Sequence, residues 1–428
     1  MKRYLLPAAI AVLLTGPLVA CGGGNQAQSK ANEARGAIKV WLSNNKEEVA
    51  WGEAMVTAWN AAHANEQVTA EQIPAGRTSE EVITAAITAG NAPCLIFNTA
   101  PAAVPEFEKM GGLVPLDEFP DGASYVRSRS GDVAKQYTSP DGKIRQLPWK
   151  SNPVRIFFNK KLFQQAGLNP DGSSLATYAG FLDSARKLVA AKAAQAAIWP
   201  APSNEFFQPW FDFYPLFAAE TGGKQLVVDR KPTFNSAEGE AVAKFWRTLY
   251  DEGLAPREKY NGDAFADGKA AMAIVGPWAI AVYKGKVDWG SVPVPTSTGK
   301  PANQIWTFSD AKNVALYSSC KNRATAWDML KFATSTDQDG KLLKATGQMP
   351  LRTNLPTTYP DYFTANPAYQ VFADQAARTV EVPNVPNSIK IWQTFRDAYS
   401  AGVIFGREDP KAALDKAAND IGKLAAGG

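Results

Sequence analysis

The stretch IKVWLSNNKEEVAWGEAMVTAWNAAHANEQVTAEQIPAGRTSEEVITAAITAGNAPCLIFNT (38–99) decides the fold class. IKVWL (38–42) is a short apolar run and reads as a strand. Asn45 stands three residues before Glu48, the spacing of a capping box. Val49, Met55, Val56 and Trp59 then recur at roughly helical intervals. VTAEQIP (68–74) is a second strand. Thr78 and Glu81 form another capping pair, before a helix over VITAAITAG that stops at Gly90. CLIFNT (94–99) is a third strand. Strand, helix, strand, helix, strand predicts an α/β protein with a parallel sheet covered by helices. Ligands of such sheets bind beyond the carboxyl ends of the strands. Those ends are Ser43-Asn44-Asn45, Ala75-Gly76-Arg77 and Asn98-Thr99-Ala100.

A second section opens at residue 145. Pro148 and Pro153 flank an extended piece, VRIFFN is a strand, and KKLFQQAGL is a short helix ended by Gly167. TYAGFLDSARKLVAAKA (177–193) and SAEGEAVAKFWRTLYDEGLAP (236–256) are amphipathic helices. Between them NEFFQPWFDFYPLFAAETGG (204–223) carries more rings than one buried face needs, so some of them are expected to face a cleft. FADGKAAMAIVGPW (265–278) reads as helix, turn and strand, with Trp278 just past the strand's end. NVALYS is a strand and NRATAWDMLKFATS (322–335) a helix. GQMPLRTN (347–354) is a crossing loop, and AYQVFADQAAR, IKIWQTFRDAYSAG and KAALDKAANDIGKLAAG are helices.

With 428 residues, the chain is long enough for two or three cores. Forty-five basic residues against 41 acidic ones leave a net charge of +4, and no basic run of five occurs, which argues against nucleic acid as a partner. Twelve tryptophans fit a protein that contacts flat or apolar ligand faces, or a large core. The single histidine, His63, lies at a helix end, and no His or Cys cluster suggests a metal site or a Ser-His-Asp site. No P-loop or dinucleotide fingerprint is present, and no cofactor is expected.

The first residues read as an address. Lys2 and Arg3 precede a short apolar stretch, Leu5 to Leu14, and then Leu18-Val19-Ala20-Cys21. This is the layout of a secretory signal peptide over 1–20, and its LVAC element resembles a bacterial lipobox. The resemblance implies lipidation of Cys21, with 21–35 a lipid-anchored, flexible tether. In an exported chain the two remaining cysteines, Cys94 and Cys320, are candidates for a disulfide, the other reading being two separate buried thiols.

The ordered segments LPWKSNPVRIFFNKKLFQQAGL (147–168), FADGKAAMAIVGPW (265–278), DWGSVPVP (288–295), NRATAWDMLKFATS and GQMPLR (347–352) resemble those of the family 1 extracellular solute-binding proteins of ABC importers. That family includes the maltose-binding-type sugar receptors. The resemblance covers nearly the whole chain after the tether. Where many members carry a Gly-Gly pair before the strand at NVALYS, this chain has Gln304-Ile305-Trp306-Thr307. The resemblance implies a two-lobe, type II periplasmic-binding-protein (Venus-flytrap) fold with a ligand cleft between the lobes. One lobe would take 36–147 and 303–349, the other 150–300 and 354–428. It further implies a non-enzymatic receptor on the extracytoplasmic face of the cell membrane. Hinge closure would capture a carbohydrate, from a monosaccharide to an oligosaccharide or an amino sugar, for delivery to the importer's permease subunits. Two other readings are a glycerophosphodiester or similar small polar solute on the same fold, supported if Arg352 and Lys150 face the cleft, and a secreted carbohydrate-active enzyme, for which no acid pair stands out.

Sugar binding calls for flat aromatic faces and for paired polar groups. Asn44 and Asn45 end the first strand, although Asn45 is first of all a helix cap. Glu47 is a first-turn acid that the resemblance makes a sugar contact. Asn98 and Thr99 end the third strand. Trp149 and Asn152 lie in the crossing segment, Trp210 and Asp212 in the aromatic run, Trp278 at the strand end and Trp306 near a later crossing. Arg352 offers a planar donor set to hydroxyls or a phosphate, or else a salt bridge between lobes.

Overall fold

The computed structural model describes residues 30–76, 78–200 and 202–427. The expected signal peptide and lipidation site at Cys21 lie outside the described residues, as does most of the expected tether. The first pass runs β1 (Ile38–Leu42), α1 (Lys46–Ala62), β2 (Val68–Gln72), α2 (Ser79–Thr88) and β3 (Leu95–Thr99), followed by α3 (Gly122–Ser130) and β4 (Leu147–Ser151). Local chemistry sets these boundaries. The Asn45 side chain accepts the Glu48 N–H at 3.0 Å, and Thr78 Oγ1 accepts that of Glu81 at 3.2 Å. Gly90, just past α2, takes the left-handed conformation at φ 69°.

The second pass holds β5 (Arg155–Asn159), α4 (Lys160–Gln165), α5 (Tyr178–Ala190), β6 (Ala196–Ile198), α6 (Phe213–Thr221), α7 (Ala237–Asp251), β7 (Ala270–Val275), α8 (Trp278–Tyr283) and β8 (Trp289–Val292). The chain then returns through β9 (Thr307–Phe308), β10 (Lys312–Leu316), α9 (Arg323–Ala333), α10 (Thr336–Thr346) and β11 (Met349–Pro350). It ends on β12 (Thr379–Val380), α11 (Ser388–Tyr399) and α12 (Pro410–Ala425). The helix expected over 368–378 is a single short one, Gln370–Gln375, between tighter turns, and α11 passes into a π-turn over Ser400–Ile404.

One sheet has the order β11-β4-β10-β3-β1-β2, and a second has β8-β5-β7-β6. β1 is parallel to β2 and β3, while β10 runs antiparallel between β3 and β4. All of β4 to Ser151 belongs to the six-stranded sheet, because β10 and β11 pair with its two edges. The passage between sheets therefore falls at 152–154 rather than at 147–150. Each sheet has its own core. Trp51, Phe97, Trp149 and Trp327 lie in the first, and Phe158, Phe213, Tyr214, Trp246 and Trp392 in the second. Burial of these large rings contributes to the stability of each half. Cys94 and Cys320 are joined by a disulfide, with Cα atoms 4.5 Å apart, which ties the start of β3 to the segment after β10.

Three extended segments meet where the chain passes between the sheets. The Asn152 N–H donates to Ser309 O at 2.7 Å, and the Ser309 N–H donates to Val380 O at 2.9 Å. β9 and β12 pair in parallel beside them. Such a narrow, hydrogen-bonded crossing is the geometry of a hinge.

Candidate functional site

The carboxyl ends of the parallel strands in both sheets open onto two neighbouring cavities. A cavity of about 600 Å³ is lined by Asn44, after β1; Gly76 and Thr78, after β2; and Asn98, in β3. The same cavity takes Phe206, Phe207, Trp210 and Phe211 from the second half and Asp310 and Lys312 from the hinge. A second cavity of about 590 Å³ shares Glu205, Phe207 and Phe211 with it. This one extends across the ends of β6 and β7, over Trp199, Tyr260, Asp263 and Trp278. Both volumes are within the usual range for small-ligand sites.

The walls suit a ligand with ring hydroxyls and C–H faces. Trp199 and Tyr260 pack with centroids 5.0 Å apart, and the Trp199 indole donates to Glu258 O at 2.9 Å, which holds its plane. Phe211 meets Trp278 edge-on at 6.1 Å. The Trp278 ring folds back over Gly276, where an added Cβ would lie 2.0 Å from its Cζ3. That glycine is required by the ring. Polar groups come mostly from strand ends and the hinge. Lys312 Nζ pairs with Asp310 at 2.8 Å. Asn98 and Asp310 hold φ of 66° and 40°, a left-handed conformation found mainly at turns and functional positions.

The expected contact residues separate into groups. Asn44, Asn98 and Trp210 line the cavity between the halves, and Trp278 lines the neighbouring one. Asn45 is spent on the α1 cap. Glu47 is exposed on a different face, in a groove with Trp51 and Lys341. Thr99 is buried, its hydroxyl turned back toward Ile96 O. Trp149 is 1% exposed and packs edge-on against Phe97 at 5.2 Å, so it belongs to the core of the first sheet. Asn152 is buried in the hinge, its amide 3.3 Å from Gln348 Oε1. Trp306 lies against Gly223, past the far end of α6 from the cavities. Arg352 donates to Asp339 at 3.0 Å and to Thr334 O at 2.8 Å, completing a network around the buried Arg129 within the first half. Lys150 is buried against Glu48. Neither Arg352 nor Lys150 lines the cavities, which removes the support they would have lent to a phosphodiester ligand.

Asp212 is among the second cavity's lining residues, but its carboxylate is already engaged. It accepts from Phe213 N at 2.5 Å and from Gln208 Nε2 at 2.6 Å, and burial pushes its pKa up to about 7. Glu381 is the hinge counterpart. It accepts the Ala311 and Val382 N–H groups at 3.0 and 2.8 Å, and burial raises it to about 7.

Sequence reasoning passed over Trp199 and Tyr260 of the second cavity, and Glu80, Glu205, Asp310 and Lys312 of the first. One signal was available. Trp199 follows β6, which is parallel to β7, so the carboxyl-end rule points to it as directly as to Trp278.

Comparison with known proteins follows the same lines. The family model described as bacterial extracellular solute-binding protein matches residues 54–371. The maltodextrin-binding protein MdxE of Bacillus subtilis is 22% identical over 347 residues, 78% of this chain and 76% of that protein. The diacetylchitobiose binding protein DasA of Streptomyces coelicolor is 24% identical over 417 residues, 92% and 94% of the two chains. The crystal structure of the cyclic alpha-maltosyl-1,6-maltose binding protein from Arthrobacter globiformis superposes with a TM-score of 0.77 at 21% identity, covering 92% of this chain and all (100%) of that one.

Proposed function

The chain belongs to the family of bacterial extracellular solute-binding proteins, and from that premise we propose that it is the receptor of an ABC importer for a carbohydrate. It captures a mono- to oligosaccharide or an amino sugar by closing its two halves and hands it to the permease. The observation that carries this reading is the cavity lined from both halves, with rings on one side and strand-end amides and the Asp310–Lys312 pair on the other. Aromatic faces take the sugar's C–H patches, and carboxylate, amide and ammonium groups take its hydroxyls. Relatives named for maltodextrin and diacetylchitobiose support the ligand class.

Closure follows from a difference in affinity. Groups from one half alone bind weakly, while a ligand touching both halves favours the closed state by the free energy of the added contacts. The moving halves are proposed as roughly 36–151 with 303–349 and 155–300 with 354–428, the first crossing lying at 152–154. Nothing in this action requires a bond in the ligand to break, so the protein acts by binding. No helix among the described residues is long and apolar enough to cross a membrane. Anchoring is proposed to come from a lipid on Cys21, outside the cytoplasm.

The test is a melting-temperature screen against neutral mono- and oligosaccharides, amino sugars and glycerophosphodiesters. A ligand of the native state must raise the melting temperature. The reading fails if no carbohydrate does so, or if a glycerophosphodiester alone does.

A further inference from the structure

Arg155 opens β5 opposite Val275, the last residue of β7 and a lining residue of the second cavity. It is only 7% exposed. Strand alternation places it on the same face as Phe157, which packs with Tyr283, Met349 and Phe372. Its Nε is buried without a hydrogen-bond partner, and among the described residues no carboxylate forms an ion pair with it.

Arg378 is in the same condition: its Nε is buried and unpartnered, and it too lacks an ion pair among the described residues. The fold brings the two together. Thr307 donates its hydroxyl to Val154 O at 2.8 Å and lies opposite Thr379 across β9 and β12. Arg155 and Arg378 therefore flank the two sides of one short strand. Burial, and then the field of Arg378, lower the Arg155 pKa to about 10. Asp374 acts against this from a distance, but it is exposed and engaged by Gln370 at 2.8 Å.

A buried guanidinium is normally paired, because removing an unpaired charge from water costs several kcal/mol. The like charge of the part-buried Arg378 across the short strand β9 adds to that cost. The planar, multi-donor forks of the two arginines match the oxygens of a carboxylate or phosphate. We propose that Arg155 and Arg378 form a binding site for an oxyanion at the hinge edge of the four-stranded sheet. The oxyanion is either a substituent of the imported sugar, as in a sugar phosphate or uronic acid, or a free anion that sets the hinge. The first source rests on the carbohydrate-receptor reading; the second does not.

Melting temperature and calorimetric titration test this on the full chain in a low-salt chloride buffer, using wild type, Arg155→Met and Arg378→Met. The probes are inorganic phosphate, glucose 6-phosphate, galacturonate, glucose and galactose. Millimolar phosphate is expected to raise the wild-type melting temperature by about 2 °C or more, and either substitution is expected to abolish most of that shift. A larger shift with glucose 6-phosphate or galacturonate than with phosphate or the neutral sugars identifies a sugar-borne group. A phosphate shift at least as large as that of either sugar anion identifies a free anion. Arg155→Met removes an unpaired buried charge and is expected to melt no lower than wild type without anion. If it does not fold, the less buried Arg378→Met decides. The site is overturned if none of the anions shifts the wild type, or if the shifts survive both substitutions. Neutral sugars still binding in that case would leave the receptor reading intact.

Discussion

Lys150 on β4 and Glu48 on α1 form an ion pair whose side chains are only 2% and 4% exposed. Gln348, just before β11, donates to the same carboxylate at 2.5 Å. Burial alone would push the Glu48 carboxyl up, but the Lys150 charge and the hydrogen bonds from Lys150, Ser43 and Gln348 together outweigh it and hold the group below its usual range. The pair thus ties α1, β4 and the neighbouring edge strand β11 together just beneath the hinge. Lys150→Met would leave Glu48 buried and unpaired, a loss of about 3–5 kcal/mol. Adding Glu48→Leu removes the stranded charge and is expected to recover most of it. Urea unfolding of the two single variants and the double variant checks this. Losses that simply add would show that the two groups are not coupled.

Aromatic truncation separates binding from folding. Trp199 is half-buried at the edge of the second cavity, so Trp199→Ala is expected to weaken carbohydrate binding about tenfold, a change of about 1.4 kcal/mol, with little effect on melting. Trp278→Ala is expected to weaken binding by more than it lowers fold stability. Gly276→Ala should reproduce the binding loss by displacing the Trp278 ring. Calorimetric titration beside thermal melting decides the matter. Unchanged affinity with a large stability loss would assign Trp278 to the core.

How much of this was legible depends on how far apart the deciding residues lie. The first five elements could be read because their signals are local: Asn45 and Thr78 cap their own helices, and apolar periodicity does the rest. Asn44, Asn98 and Trp278 could be placed at the cavities because strand polarity is a short-range inference, and Trp210 because its run holds more rings than one buried face needs. Trp149, Trp306 and Arg352 could not be placed this way. Trp149 is enclosed because β10 and β11, more than 160 residues on, pair with β4. Trp306 rests on Gly223, and Arg352 on Asp339. Trp199 was passed over because β6 is only three residues long, too short to show a period.

Arg352 yields a prediction opposite to that for the cavity rings. Its guanidinium shares Asp339 with Arg129, which is itself buried and donates to the carbonyls of Thr334, Trp149 and Leu351. Arg352→Met is expected to cost about 1–3 kcal/mol of stability and to leave sugar affinity unchanged. Arg129→Met, which leaves Asp339 without its more deeply buried partner, is expected to cost more. Chemical denaturation together with calorimetric titration tests both variants. A selective loss of affinity in Arg352→Met would return that residue to the ligand site.

Asp212 makes stability depend on pH with a definite sign. Its pKa is raised from 3.8 to about 7 in the folded protein, chiefly by burial. Between those values the folded state holds a proton that the unfolded state has lost. The unfolded state therefore binds fewer protons, and stability falls as pH rises through this window. The full shift corresponds to about 4 kcal/mol, at one pKa unit per 1.36 kcal/mol. Asp212→Asn cannot ionise. Its oxygen can still accept from Phe213 N, and its new amide can donate to Gln208 Oε1, which is buried without a partner, once the Gln208 amide turns over. The variant is expected to match wild type near pH 5, to exceed it at pH 8, and to show a flatter stability profile between. Urea unfolding across pH 5 to 8 measures this directly. A variant less stable than wild type at pH 8 would mean that the ionised carboxylate, rather than its neutral form, is what α6 and Gln208 are built to hold.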